Sequence, residues 1–341
     1  MLACPLCHGH LNVDENSVTC KDCAASYPVQ NGIPLLFVPN EGQKGDVTEI
    51  VQAFYEENPF PNYDDLDSSE SLREKASQGI FARLLDEQIP IGAKVLEVGC
   101  GTGQLTNFLG MYWNRKVFGS DLCLHSLRLG KEFRDRNNIA SAGFLQMNLF
   151  RPAFQEQSFD LVVSNGVLHH TADPLGGFRS IARLVKPGGH IVIGLYNKIG
   201  RLTTDMRRFL FRVSKDKLSF LDAHQRNPNY NEARKRAWFF DQYKHPHESK
   251  HTYDEVMDWF EADSFEFLCS IPKIDGPFEN DEKLFEKHSK GTKVDRVFAQ
   301  LEMLLTGGKD GALFIMIGRK LGEPAEVTES SASAAVVASR A

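Results

Sequence analysis

Apolar and polar residues change period several times along the chain, and the changes mark the elements. From residue 91 onward, short apolar runs recur: AKVLEV, KVFGSD, GFLQMN, FDLVVSN and HIVIGLY. Each is too short for a helix and is bounded by turn-forming residues, so each reads as a buried strand. Residues 103–112, 123–136 and 174–185 carry helical spacing between them. Strands alternating with helices predict a parallel sheet wrapped on both faces. Asp173-Pro174 supplies an N-cap and a proline at the first helical position. Lys186-Pro187-Gly188-Gly189 is expected to stop that helix and turn the chain. Nearer the C-terminus, FEFLCSI and ALFIMIGRK read as strands, and TYDEVMDWFEA and TKVDRVFAQLEMLLT as helices.

The first ninety residues follow a different pattern. SVTC and SYPVQNGIPLLFV read as short strands with a turn at Asn31-Gly32. The polar, glycine-rich PNEGQKGD reads as a loop. VTEIVQAFYEENPFPNYDD gives a short amphipathic helix that ends before Pro59 and Pro61. Residues 70–89 repeat the helical pattern, with Ile80, Phe81, Leu84 and Leu85 on one face. The predicted organisation is a module at 1–40, a linker with helices at 41–90, and a large α/β domain at 91–320. A small, polar tail at 321–341 is expected to be disordered.

Composition adds limits. The 341 residues are 42% hydrophobic and 25% charged, with a net charge of −6. This disfavours nucleic-acid binding by bulk charge and leaves room for a local basic face. One such segment stands out. Residues 201–250 hold twelve Lys or Arg against six Asp or Glu, an excess of +6, so the rest of the chain carries −12. Tyr230, Trp238, Phe239, Phe240 and Tyr243 interleave with these basic residues. The insertion, roughly 198–250, reads as a substrate lid, a nucleic-acid surface, or a helical cap with a solvated basic face. No apolar run approaches the ~20 residues of a membrane span. The opening MLACPLCHGH has no basic n-region and no apolar h-region, so a cytoplasmic location is the default expectation.

Four of the seven cysteines cluster as Cys4-x-x-Cys7 and Cys20-x-x-Cys23. Two such knuckles can close a tetrahedral four-thiolate zinc site with no open position, so the metal would build fold rather than perform chemistry. Two disulfides are the alternative, disfavoured in a reducing compartment. His8 and His10 sit in the same knuckle as substitute ligands. The stretch CPLC…CKDC…YPVQNGIPLLF, residues 1–39, resembles the small zinc-ribbon proteins that activate tRNA and protein methyltransferases. That resemblance implies a protein partner for the ribbon, or a fused methyltransferase.

VLEVGCGTGQL places glycines at 99, 101 and 103 after the first core strand. A dinucleotide fingerprint would need glycine at 104, where glutamine stands, and no Lys-Ser or Lys-Thr closes a phosphate loop. Glu97 before the loop suits a ligand with an ammonium and a sulfonium. Asp121, ending the second strand, suits ribose hydroxyls. VLEVGCGTG, GSD, FDLVVSNGVLHHTADP and LVKPGGHIVIGLYN resemble the class I S-adenosylmethionine-dependent methyltransferases, in particular the broad type-11 group. The resemblance covers about residues 80–197 and resumes near the C-terminus. It implies a Rossmann-like, doubly wound sheet of seven strands whose last two form an antiparallel edge pair. It also implies that Glu97, Gly99, Gly101 and Gly103 line the methionine and ribose end of the cofactor, and that Asp121 holds the ribose. Leu122 would pack the adenine, Asn148 and the Leu149 backbone would bind its edge, and Ser164 would approach the methionine part.

Methyl transfer needs a positioned nucleophile and a proton acceptor. His169 and His170 follow the fourth strand, where the methyl would lie, and are the candidate bases. Tyr196 is a candidate for orienting substrate, and Tyr55 and Tyr63 for a lid. A metal at His245 and His247 has no carboxylate pattern to complete it. SNGV replaces the Asn/Asp-Pro-Pro-aromatic pattern of exocyclic-amine methylation, and no cysteine stands where cytosine-carbon methylation needs one. The expected acceptor is a small or lipid-like molecule. The alternatives are an RNA base gripped by ribbon and insertion, and a non-catalytic scaffold.

Overall fold

A computed structural model describes residues 1–40, 45–61, 63, 66, 68–306 and 311–322. Eleven strands form one sheet in the order β1-β2-β3-β4-β7-β6-β5-β8-β9-β11-β10. The N-terminal module supplies β1 (Leu11–Val13), β2 (Ser17–Cys20), β3 (Ser26–Gln30) and β4 (Ile33–Leu36). Helices α1 (Thr48–Glu57), α2 (Ser69–Gln78) and α3 (Ile80–Gln88) follow. The expected single helix over 70–89 is broken at Gly79, whose extended backbone ends one helix and starts the next.

The core then alternates as the pattern predicts. β5 (Lys94–Val98) leads to α4 (Gln104–Gly110), β6 (Lys116–Asp121) to α5 (Leu124–Arg136), and β7 (Ala142–Met147) to β8 (Phe159–Asn165). α6 (Pro174–Ala182) precedes β9 (Val185–Tyr196), and Asp173 Oδ1 caps α6 by accepting from Gly176 N at 2.9 Å. Lys186–Gly189 does not separate helix from strand as expected. It bulges from within β9, between the pairs Phe159↔Val185 and Leu161↔His190. After β9 come α7 (Leu202–Val213) and α8 (Glu232–Phe239), which runs into a π-helical turn, Phe240–Lys244. α9 (Tyr253–Ala262), β10 (Phe265–Ile271), α10 (Lys293–Thr306) and β11 (Leu313–Lys320) complete the chain.

The seven strands from β5 onward have the order β7-β6-β5-β8-β9-β11-β10, all running in one direction except β11, which is antiparallel to both its neighbours, β9 and β10. This is the Rossmann-like seven-stranded sheet with an antiparallel edge pair. Strand order reverses between β5 and β8, so a crevice opens beyond their C-terminal ends. Val95, Leu96, Val162, Val163, Val192 and Ile193, all fully buried, form the sheet's centre. Residues 323–341, most of the expected tail, and residues 41–44 of the linker lie outside the described residues.

The ribbon is part of this sheet. Asn31 and Gly32 both take positive φ, 51° and 73°, and close the β3–β4 hairpin. β4 then pairs in parallel with β7, Leu35 opposite Gln146 and Leu36 opposite Met147. Ala3 N donates to Ala153 O at 3.0 Å, and Gln155 N to Met1 O at 2.9 Å. Cys4, Val18, Cys20, Tyr27 and Leu36 share one apolar cluster with Leu145, Met147 and Phe154. A module of forty residues has too little core to stand alone. Here it borrows the core of the large domain and covers the edge of β7 that would otherwise be open.

Candidate functional site

A cavity of about 500 Å³ lies beyond the C-terminal ends of β5 and β8. Its walls include Glu97, Gly99, Gly101, Asp121, Leu122, Asn148 and Leu149, so the structure gathers the expected cofactor residues around one space, apart from two. Gly103 is turned away. It caps α4 with φ 73°, and a Cβ there would meet the Phe144 ring at 2.4 Å. Ser164 is fully buried within β8, and the following Asn165 and Gly166 line the cavity in its place.

The glycine loop is locked from above and below. Gly101 has φ 53°, and a Cβ would stand 2.2 Å from the Phe60 carbonyl oxygen of the segment crossing over it. Thr102 Oγ1 donates to the neighbouring Pro61 carbonyl. Asp121 fixes the loop from below. Its Oδ2 accepts from Gly101 N and its Oδ1 from Cys123 N, both at 2.8 Å. Each carboxylate oxygen keeps lone-pair capacity toward the cavity, as binding a vicinal diol requires. Burial pushes Asp121 above the ordinary carboxylate range, and its backbone bonds oppose that rise. Glu97 is buried and accepts from Thr106 Oγ1. Burial, only partly offset by that bond, pushes it up to about 7.

Asn148, expected at the adenine edge, lines the cavity while its side chain bonds elsewhere. Its Nδ2 donates to Val38 O at 2.8 Å and to Asn40 Oδ1 at 3.0 Å, and its Oδ1 accepts from Phe150 N at 3.0 Å. The side chain is committed to holding the exit of the ribbon.

The two histidines are also committed. His170 Nδ1 lies 2.9 Å from the His247 carbonyl oxygen and so carries the proton. Its Nε2 then accepts from His169 Nε2, 3.1 Å away. That leaves His169 Nδ1 bare and buried, with no partner among the described residues. His170 reaches the cavity wall and His169 does not. Burial lowers both, His170 to about 4 and His169 well below the ordinary histidine value. Both histidines are thus buried and held neutral, and Nε2 of His170 already accepts a bond. To act as the expected base, His170 would first have to give up that bond.

A different polar group faces the cavity. Asp241, in the π-helical turn, accepts from Tyr55 OH at 3.1 Å and from Gln242 Nε2 at 2.9 Å. Gln242 Nε2 also donates to Tyr196 OH at 2.8 Å. Tyr55, Tyr196, Asp241, Gln242 and Trp238 all line the cavity. Burial raises the Asp241 carboxyl, opposed by His245, Tyr55, Arg201 and Gln242. Behind it, fully buried Arg201 donates from Nε and Nη2 to both oxygens of Glu248, at 3.0 and 2.7 Å. The same guanidinium lies 3.6 Å from the Tyr196 ring centre and donates to Gln242 Oε1. Burial raises Glu248, but the bonds and charge of Arg201 outweigh it and hold the carboxyl at about 2. Tyr196 and Tyr55 were legible as candidates. Asp241 was not, because only the π-helical turn aims it inward. Tyr63, the other lid candidate, stacks on Phe133 at 4.5 Å and bonds Asn107 instead.

At the other end of the chain, the thiols of Cys4, Cys7, Cys20 and Cys23 all lie within 4.8 Å of one another. The Cys4–Cys23 and Cys7–Cys20 sulfur pairs are 3.7 and 3.5 Å apart. These are non-bonded separations, close to the ~3.8 Å edge of a tetrahedron with metal–sulfur bonds of ~2.3 Å. The donor set fits a closed zinc site. Among the described residues no other group of this kind occurs, so His245 and His247 form none.

Residues 96–193 match the family model described as methyltransferase domain, and residues 1–32 the model described as Trm112p-like protein. Among curated relatives, an uncharacterized protein of Synechococcus sp. is 27% identical over 255 residues, covering 65% of this chain and 60% of its own length. Cycloartenol-C-24-methyltransferase of Arabidopsis thaliana is 28% identical over 158 residues, covering 43% of this chain and 47% of its own. The chain therefore spans about half to three-fifths of the length of these relatives. The structure of PKMT2 from Rickettsia typhi in complex with AdoHcy superposes with a TM-score of 0.50 at 16% identity, covering 73% of this chain and 54% of that one. Fold and family match agree on a methyltransferase domain. In this chain that domain carries a Trm112p-like module at its front.

Proposed function

We propose that the protein methylates a small, largely apolar acceptor bearing one hydroxyl or amine. One observation carries this reading. The cavity is continuous from the glycine loop to Asp241, and between them Val51, Leu72, Ala76, Phe81, Leu105 and Phe108 line it. It is a largely apolar cleft with polar groups at both ends, the carboxylates beside the loop and Asp241, the form of a small-molecule site. Glu97, the loop and Asp121 would hold S-adenosylmethionine, which when bound supplies a methyl already activated by its sulfonium. Asp241 accepts the proton that the acceptor's O–H or N–H releases as its new bond to carbon forms. Burial raises its pKa and so makes it a stronger proton acceptor than an exposed carboxylate. Tyr55 and Tyr196 position the acceptor's polar atom. α1–α3 and the insertion exclude water. The ribbon, closed by zinc, holds the third core strand. The relative named for acting on cycloartenol supports an apolar acceptor.

The test uses methyl-labelled S-adenosylmethionine and cell extract separated into RNA, protein and organic-soluble fractions. Label should enter the organic-soluble fraction and fall at least tenfold with Asp241→Asn, while cofactor affinity is unchanged. Label in RNA that ribonuclease removes would overturn the reading.

A further inference from the structure

The insertion carries a feature that the cavity does not use. α7 has two apolar faces. Thr204 and Phe211 turn inward, and Phe211 packs against Phe239 and Tyr243 of the π-helical region at 5.6 and 4.8 Å between ring centres. On the opposite side Leu202, Met206, Phe209 and Val213 recur at i, i+4, i+7 and i+11 and form one stripe. Their exposures are 54, 60, 63 and 68%. Phe220 and Leu221 in the next turn are exposed as well. Half-buried Arg207, which bonds Tyr243, and exposed Arg212 flank the stripe on either side, and exposed Lys215 and Lys217 follow it. Of the nearby acids, Asp205 is paired with Lys250 and Asp216 with Lys244.

We propose that α7 and the turn after it form a membrane-surface anchor, in which the apolar stripe enters the interface of an anionic bilayer and the flanking arginines and lysines meet its headgroups. An amphipathic helix with a basic border is the form that binding takes. Charge selects this occupant over two others. A second copy of the chain would bring two basic borders together, which costs energy. Single-stranded RNA would take a run of aromatic platforms among the basic residues, but Phe239 and Tyr243 are buried, Trp238 lines the cavity, and the exposed Phe209 and Phe220 stand among the aliphatic Leu202, Met206, Val213 and Leu221, a stripe suited to acyl chains rather than bases. α10 carries a second exposed stripe, Val294, Val297, Phe298 and Leu301, without such a border. The docking does not depend on which molecule is methylated. It does set the cavity wall, built from the same insertion, close to the lipid.

The experiment is flotation of the full chain with phosphatidylcholine vesicles, with and without phosphatidylglycerol. Binding should require phosphatidylglycerol and weaken with salt. Met206→Asp with Phe209→Asp should abolish it. Arg212→Gln, Lys215→Gln and Lys217→Gln together should weaken it about a hundredfold, at about fivefold per basic residue. All these positions are exposed, so thermal melting should stay in place and report that each variant is folded. Absence of binding to phosphatidylglycerol vesicles, equal binding to both vesicle types, or full binding by either variant overturns the proposal. So does a dimer in sedimentation velocity that the aspartate variant dissolves, or an RNA gel shift that the glutamine variant abolishes, if no vesicle binding accompanies it. A methylation assay on soluble acceptor tests the proposed activity separately, since the aspartate variant keeps the whole cavity wall.

Discussion

At the scale of single residues, two carboxylates, Asp121 and Glu97, flank the glycine loop in the cavity wall. Asp121 is tied to the loop by two backbone bonds and still faces the cavity. Asp121→Ala should lower S-adenosylmethionine affinity about a hundredfold by isothermal titration, the loss of two charge-assisted bonds. Glu97 carries a pH dependence. Burial holds it at about 7 when folded, above its ordinary 4.5. The folded chain therefore binds more protons than the unfolded one between those values. The stability held by the protonated form is complete below about 4.5 and is lost as pH rises through about 7. Glu97→Gln should remove that loss. Melting of the ligand-free variant should exceed the parent's increasingly from pH ~5 to ~8, by on the order of 3 kcal/mol at the upper end. A constant difference across that range would show that Glu97 is ionised throughout. Both residues were legible in the sequence because each ends a strand beside the glycine loop. The bonds Asn148 makes were not legible, because its partners, Val38 and Asn40, lie more than a hundred positions away.

At the scale of elements, the ribbon is an edge strand for a sheet it precedes by a hundred residues. β4 shields β7, and the four thiols fix the turns that present β4. Cys20→Ser should release the metal, read by elemental analysis, and should speed hydrogen exchange in 142–147. Exchange in the central strand, 94–98, should stay slow because it pairs with β6 and β8 instead. Slow exchange throughout would mean that the hairpin holds without the metal. The cysteine spacing announced the ribbon, and the Asn-Gly turn its hairpin. Parallel pairing with β7 could not be read, since nothing local to residues 33–36 names its partner.

At the scale of the whole molecule, a buried cation helps join the insertion to the core. Arg201 connects β9's end, the π-helical turn and the segment before β11 through Tyr196, Gln242, Glu248 and Gly311. Arg201→Met leaves Glu248 with only the partly exposed Arg208 at 2.8 Å. We expect a cost of roughly 3–5 kcal/mol by denaturant titration, with part recovered in the double variant that adds Glu248→Leu. Additive losses in that double variant would refute the coupling. No helix among the described residues is long and apolar enough to cross a membrane, so contact with lipid would rest on the surface of α7.

The sequence by itself determined the alternation of strands and helices, the glycine loop with its two carboxylates, and the four-thiolate module. Each is local. A strand shows in consecutive apolar residues, a loop in adjacent glycines, a ribbon in paired cysteines a few residues apart. Only the tertiary structure decided what those parts face. It turned His169 and His170 toward each other and a carbonyl, set Asp241 against Tyr55 across 186 positions, and committed Asn148 to the ribbon. Hydrogen-bond partners and burial fix a side chain's protonation and its availability. Both are properties of the packed chain, because residues far apart in sequence create them.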